Sequence, residues 1–124
     1  MKEAYVSFET AKLLKEKGFD EETLWYYDSN GACEPYSAWV EATLYDYSPM
    51  PTHQMACAWL REVHKVLIVI DAYHADHWEG YIDCFEISIY SHASTIIVPN
   101  EIAHHTDYED AVEAALKYSL ENLI

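Results

Sequence analysis

The stretch Val66-Leu67-Ile68-Val69-Ile70 constrains this chain more than any other, because it is apolar at every position and mostly β-branched. A run this short offers no polar face to water, so it predicts a strand covered on both faces inside a sheet. Residues 84–89 alternate, with Phe85, Ile87 and Ile89 in one phase and Cys84, Glu86 and Ser88 in the other, although Asp83 interrupts the pattern at its start. Thr95 to Val98 reads as a further strand after the turn Ser91-His92-Ala93-Ser94, and Pro99-Asn100 ends it. These three strands are expected to form an antiparallel meander, with 72–80 as a polar, histidine-bearing loop.

Three helical patterns surround the strands. Ser7 can cap a helix running to Lys17, with Tyr5, Phe8, Ala11 and Leu14 at helical spacing, Gly18 as the left-handed stop and Phe19 folding back on Leu14. Thr52 opens a second helix whose buried stripe is Met55, Ala56, Trp59, Leu60 and Val63, ending near His64. A capping box at Thr106-Asp107-Tyr108-Glu109 starts the third, which turns Tyr108, Ala111, Val112, Ala115, Leu116, Ser119, Leu120 and Leu123 inward. Between the first two helices, Leu24 to Tyr27 and Cys33 to Tyr36 read as a hairpin around Ser29-Asn30-Gly31, while 37–51 fits either strand or irregular structure. The expectation is an α+β fold in the order α-β-β-α-β-β-β-α. An antiparallel sheet of about four to five strands would pack against three helices in a single domain, 1–124.

Charge narrows the functional classes. The chain has 7 basic and 22 acidic residues, a formal net charge of −15. Residues 66–124 hold eleven of the acids and one base, Lys117, for a net of −10. Such a field repels phosphate backbones and anionic lipid, so direct binding to nucleic acid or membrane is not expected. No apolar run approaches the roughly 20 residues a membrane span requires, and the N-terminal residues lack a secretory pattern. Cys33, Cys57 and Cys84 are odd in number and scattered, which suggests reduced thiols in the cytoplasm.

Three groups of residues invite a chemical reading. His74, Asp76 and His77 stand close together, and His104-His105 with Asp107 form a second group before the last helix. Imidazole plus carboxylate suits a divalent metal such as Zn²⁺, so His74, Asp76, His77 and His104 are candidate ligands, and loop histidines held by water or hydrogen bonds are the plainer reading. His53 and Cys57, four apart, are half a thiol nucleophile, but the small apolar residues on that face favour a packed structural thiol. The aromatic group Trp25, Tyr27, Tyr36, Trp39, Tyr45 and Tyr47 is larger than one strand face can bury, which makes these residues candidates for a recognition surface, with a thick aromatic core bearing exposed tyrosine hydroxyls as the plainer reading.

The segments Tyr5-Val6-Ser7-Phe8-Glu9 through Lys17-Gly18-Phe19, Pro51-Thr52-His53-Gln54-Met55 through Trp59-Leu60-Arg61-Glu62-Val63-His64, and Tyr108-Glu109-Asp110-Ala111-Val112-Glu113-Ala114-Ala115 through Leu120-Glu121-Asn122-Leu123-Ile124 resemble a group of small hypothetical proteins of Bacteroides-type gut bacteria and their phages or prophages. The resemblance implies a mobile-element setting and carries over no catalytic residue. With no nucleotide-binding, zinc-ribbon or nucleophile-elbow pattern in the sequence, the leading expectation is a non-enzymatic protein without cofactor that acts through a protein partner or as a homodimer. Two alternatives stand beside it: a small metal-dependent hydrolase at the histidines, and an acidic DNA mimic that blocks a host nucleic-acid-binding protein.

Overall fold

The structure, a computed structural model, describes residues 4–37, 46–77 and 80–124, with the side chains of 74–77 and 80–83 left aside. It is α+β with antiparallel pairing throughout. The described strands divide between two sheets rather than sharing one, and the chain separates into two compact units, Met1–Ala56 and Cys57–Ile124.

In the first unit, helix α1 (Phe8–Glu16) begins where expected: Ser7 Oγ accepts a hydrogen bond of 3.2 Å from Thr10 N. Its far end closes as the sequence implied, with Phe19 N donating to Leu14 O at 2.9 Å while Phe19 and Leu14 are both buried. Strands β1 (Trp25–Tyr27) and β2 (Cys33–Pro35) form the hairpin, and β3 (Ser48–Pro49) pairs along the other side of β1. Asp28 Oδ1 holds the hairpin turn by accepting from Asn30 N at 2.8 Å and Ala32 N at 2.9 Å. Gly31 is required there twice over: its φ is +85°, and a Cβ would lie 2.8 Å from Phe8 Cδ2. Val6, Ala11, Leu14, Phe19, Tyr26, Tyr27 and Tyr47 make up the interior of this unit.

Helix α2 (His53–Val63) starts as expected, with Thr52 Oγ1 accepting from Met55 N at 3.2 Å, and the division between the units falls within it. Trp59 and Leu60 are buried, but Val63 is exposed rather than part of the buried stripe.

The second unit is built on strands β4 (Val66–His77) and β5 (Gly80–Ser91), paired residue for residue from Val66↔Ser91 to His77↔Gly80. Strand β6 (Ser94–Ile96) adds to β5, so the expected meander is present. Two expectations change. The segment 72–77 is strand rather than loop, because β5 begins at Gly80 and supplies a partner for every residue from Ala72 on. Among the described residues the run from Val66 is an edge strand rather than a central one, since the sheet order is β4-β5-β6. Burial follows the alternation: Val66 is buried and Leu67 is 42% exposed. A short helix α3 (Asn100–Ala103) follows Pro99, and β7 (His104–His105) then pairs with β5 on the side away from β4.

Helix α4 (Tyr108–Asn122) covers the apolar face of this sheet, packing on β4 and β5 with Ala111, Val112, Ala115, Leu116, Ser119 and Leu120 buried. Its cap is Asp107 rather than Thr106: Asp107 Oδ1 accepts from Asp110 N at 3.0 Å. Tyr108, expected to face inward, is exposed and sets its ring against the edge of Phe85 at 5.7 Å between centroids. Among the described residues no helix is long and apolar enough to cross a membrane.

Candidate functional site

Two surfaces gather the residues with chemical potential. The first is the open face of the β4–β5–β7 sheet. Directly opposed strand residues share a face, so Leu67, Val69, Asp71 and Tyr73 of β4 stand beside Tyr90, Ser88, Glu86 and Cys84 of β5, and His104 of β7 stands beside Glu86. Tyr73 reaches across β5 so that its Oη lies 3.1 Å from His104 Nδ1, a hydrogen bond whose direction follows the imidazole tautomer. The same hydroxyl hydrogen-bonds the Cys84 thiol, and the tyrosine forms a roof that leaves Cys84 buried on an otherwise open face. Desolvation of the hydroxyl, then the Cys84 thiol and the Glu86 carboxylate, hold the Tyr73 phenol above its ordinary range.

A cavity of about 340 Å³ lies alongside, lined by Cys84, His104, His105, Thr106 and Asp110. His105 is anchored there by a 2.6 Å hydrogen bond between its Nε2 and Ile102 O. This is the small end of the range for ligand pockets. Tyr73, Cys84 and His104 thus form a hydrogen-bonded group beside this cavity.

The histidine expectation divides. His74, Asp76 and His77 lie in β4 opposite Asp83, Tyr81 and Gly80, and their side chains are outside the described set. His104 sits two strands away from β4, across β5, and joins Tyr73 instead. Among the described residues no group of three or more His, Cys, Asp or Glu side chains is arranged to hold a metal ion. Cys57, of intermediate exposure, has its thiol pushed up to about 11 by burial, with Arg61 pulling the other way, so a thiolate is disfavoured there.

The second surface is the rim of the β1–β2 hairpin. Tyr27 and Tyr47 are buried, and their hydroxyls are used internally, Tyr27 donating to Val6 O and Tyr47 to Glu34 Oε2 at 2.9 Å. Trp39 and Tyr45 lie outside the described residues. Trp25 and Tyr36 remain at the surface, 40% and 42% exposed, beside Leu24 at 78%. Tyr36 N donates to Leu24 O at 2.8 Å and Trp25 pairs with Pro35, so these residues are neighbours along the hairpin backbone, with the Tyr36 ring 6.0 Å from that of Tyr26. A larger hollow of about 550 Å³ in the same unit is lined by both charges, Lys12 and Lys15 with Glu16, Asp28 and Asp46 among them. Lys15 already donates to Tyr47 O at 2.6 Å and Lys12 sits 4.6 Å from the Phe8 ring centroid, so neither ammonium stands waiting for an anion.

The sequence pointed to Trp25, Tyr36 and His104 but missed Tyr73, Cys84, Asp71 and Glu86. The signal was the hairpin register: once 72–77 is read as strand, Tyr73 falls opposite Cys84 and Asp71 opposite Glu86. What the fold and the two surfaces define is an acidic α+β protein with a solvent-facing polar sheet face and an exposed aromatic rim. No protein family, no curated protein and no solved structure matches the chain.

Proposed function

We propose that this chain is a non-enzymatic binding protein that works in the cytoplasm through contacts with a protein partner or with a second copy of itself. The observation that carries the reading is the exposure of three large apolar residues, Leu24, Trp25 and Tyr36, on one short hairpin. Tryptophan and tyrosine combine a large apolar body with a polar tip and are favoured at the centre of protein interfaces. Leaving them in water on a tightly turned hairpin forgoes roughly 25 cal/mol for each Å² of apolar surface that a partner would cover.

The test is the double variant Trp25→Ser/Tyr36→Ser, neither residue being part of the buried interior. Light scattering at increasing protein concentration reads self-association, and crosslinking in host lysate reads a foreign partner. A dimer or a defined partner seen with the wild type and lost in the variant supports the reading. A strict monomer whose crosslinked products are unchanged by the substitutions overturns it.

A further inference from the structure

Strand β4 is paired along one side only. β5 runs along that side, and among the described residues no strand pairs along the other. Alternate backbone N–H and C=O groups from Val66 to Tyr73 therefore point out of the sheet. Natural sheets commonly blunt such an edge with a bulge, a proline, a lysine or brevity. β4 pairs with β5 without a break over its whole length and contains neither Pro nor Lys, its charged residues being Asp71 and Asp76.

The side chains beside this edge specify a chemistry. On the open face, Leu67 is exposed, Val69 is half-buried, Asp71 is exposed and Tyr73 is 38% exposed. Asp71 stands directly opposite Glu86, and like charges in that position repel across a gap of roughly 5 Å. Among the described residues no lysine or arginine forms an ion pair with either carboxylate. The surrounding segment 66–124, with its net charge of −10, attracts cations to this edge.

We propose that the outer edge of β4 accepts an extended basic segment of another protein as an added strand, with a lysine or arginine at the position facing Asp71 and apolar side chains facing Leu67 and Val69. Main-chain hydrogen bonds supply the affinity, and the alternating side chains supply the selectivity. The base relieves the Asp71–Glu86 repulsion, and its aliphatic stem lies along the Tyr73 ring. A second copy of this chain is the poorer occupant, since it brings its own net charge of −15 to the same edge. The β4 edge belongs to the second unit and the β1–β2 rim to the first, and different variants test them, so each can fail without the other.

The experiment uses four synthetic peptides of about ten residues, the last two differing only in which edge is N-methylated. One alternates Thr and Val with Arg at a central Val position, the second carries Glu in place of that Arg, and the third and fourth are the Arg peptide N-methylated on the backbone nitrogens of one edge or the other. Calorimetry reads affinity, and amide chemical shifts read location. The Arg peptide is expected to bind at least about tenfold more tightly than the Glu peptide, shifting the amides of 66–73. N-methylation abolishes binding on one of the two possible edges, so both N-methylated forms are made. Asp71→Lys, at an exposed position, reverses the order of the Arg and Glu peptides while far-ultraviolet dichroism stays unchanged, and Trp25→Ser/Tyr36→Ser leaves both affinities as they were. Equal binding of the Arg and Glu peptides overturns the proposal, as does insensitivity to N-methylation, a failure of the Arg peptide to bind, or a dimer at β4 that the Arg peptide does not displace.

Discussion

Cys57 and Cys33 are the same side chain in opposite surroundings. Cys33 is exposed on β2, whereas Cys57 lies on α2 with its thiol pushed up to about 11 by burial, against an ordinary value of 9.0. At pH 8, iodoacetamide is expected to alkylate Cys33 quickly and Cys57 slowly, as read by mass spectrometry of quenched time points, because the thiolate is the reacting species. The same shift makes stability depend on pH. The folded chain holds this proton more tightly than the unfolded one, so the contribution is fully present below pH 9 and declines as pH rises toward 11. Chemical denaturation across that window should give a wild-type slope steeper than that of Cys57→Ala by up to about 1.4 kcal/mol per pH unit. Parallel slopes, or equal alkylation rates, would show that Cys57 is not sequestered. The position of Cys57 on a helix face was legible in its four-residue spacing from His53. Its burial was not, because burial depends on what packs over the face.

The start of α4 shows how far a local pattern reaches. Thr106-Asp107-Tyr108-Glu109 announced a helix start, and a helix starts there, but the accepting oxygen belongs to Asp107. Both residues are good caps, and the choice between them rests on backbone direction, which β7 imposes by pairing His104 and His105 with β5 just upstream. Asp107→Ala is expected to cost ~1 kcal/mol in denaturant unfolding and Thr106→Ala less than about half of that. A larger cost at Thr106 would return the cap to the capping-box position. The β4 edge teaches a related lesson. A run of Val, Leu and Ile fits a strand buried on both faces, and here one face meets α4 while Leu67 and Tyr73 on the other are exposed.

At the scale of the molecule, the notable feature is that the division between the two compact units falls inside α2. A helix of eleven residues is marginal by itself in water and relies on the packing of its apolar face. Ala56 lies before the division and Trp59 and Leu60 after it, all three buried and all on this one helix, so unfolding of either unit unwinds part of it. We therefore expect calorimetry to record one cooperative transition, with a calorimetric enthalpy equal to the van't Hoff enthalpy. Two resolved transitions would make 1–56 and 57–124 separate domains and overturn the single-domain expectation. What the sequence by itself determined was everything that depends on near neighbours along the chain: the caps at Ser7 and Thr52, the left-handed closure at Gly18, the hairpin turn that needs Gly31, the inward faces of α1 and α4, and the excess of negative charge. Only the tertiary structure decided that β4 lies at an edge, that Tyr73 bridges over Cys84 to His104, and that Trp25 and Tyr36 stay in water while Tyr27 and Tyr47 do not. Those outcomes turn on which strands pair and in what register. Pairing is a competition among segments distant in sequence, and a periodicity of two reads the same from the middle of a sheet as from its rim.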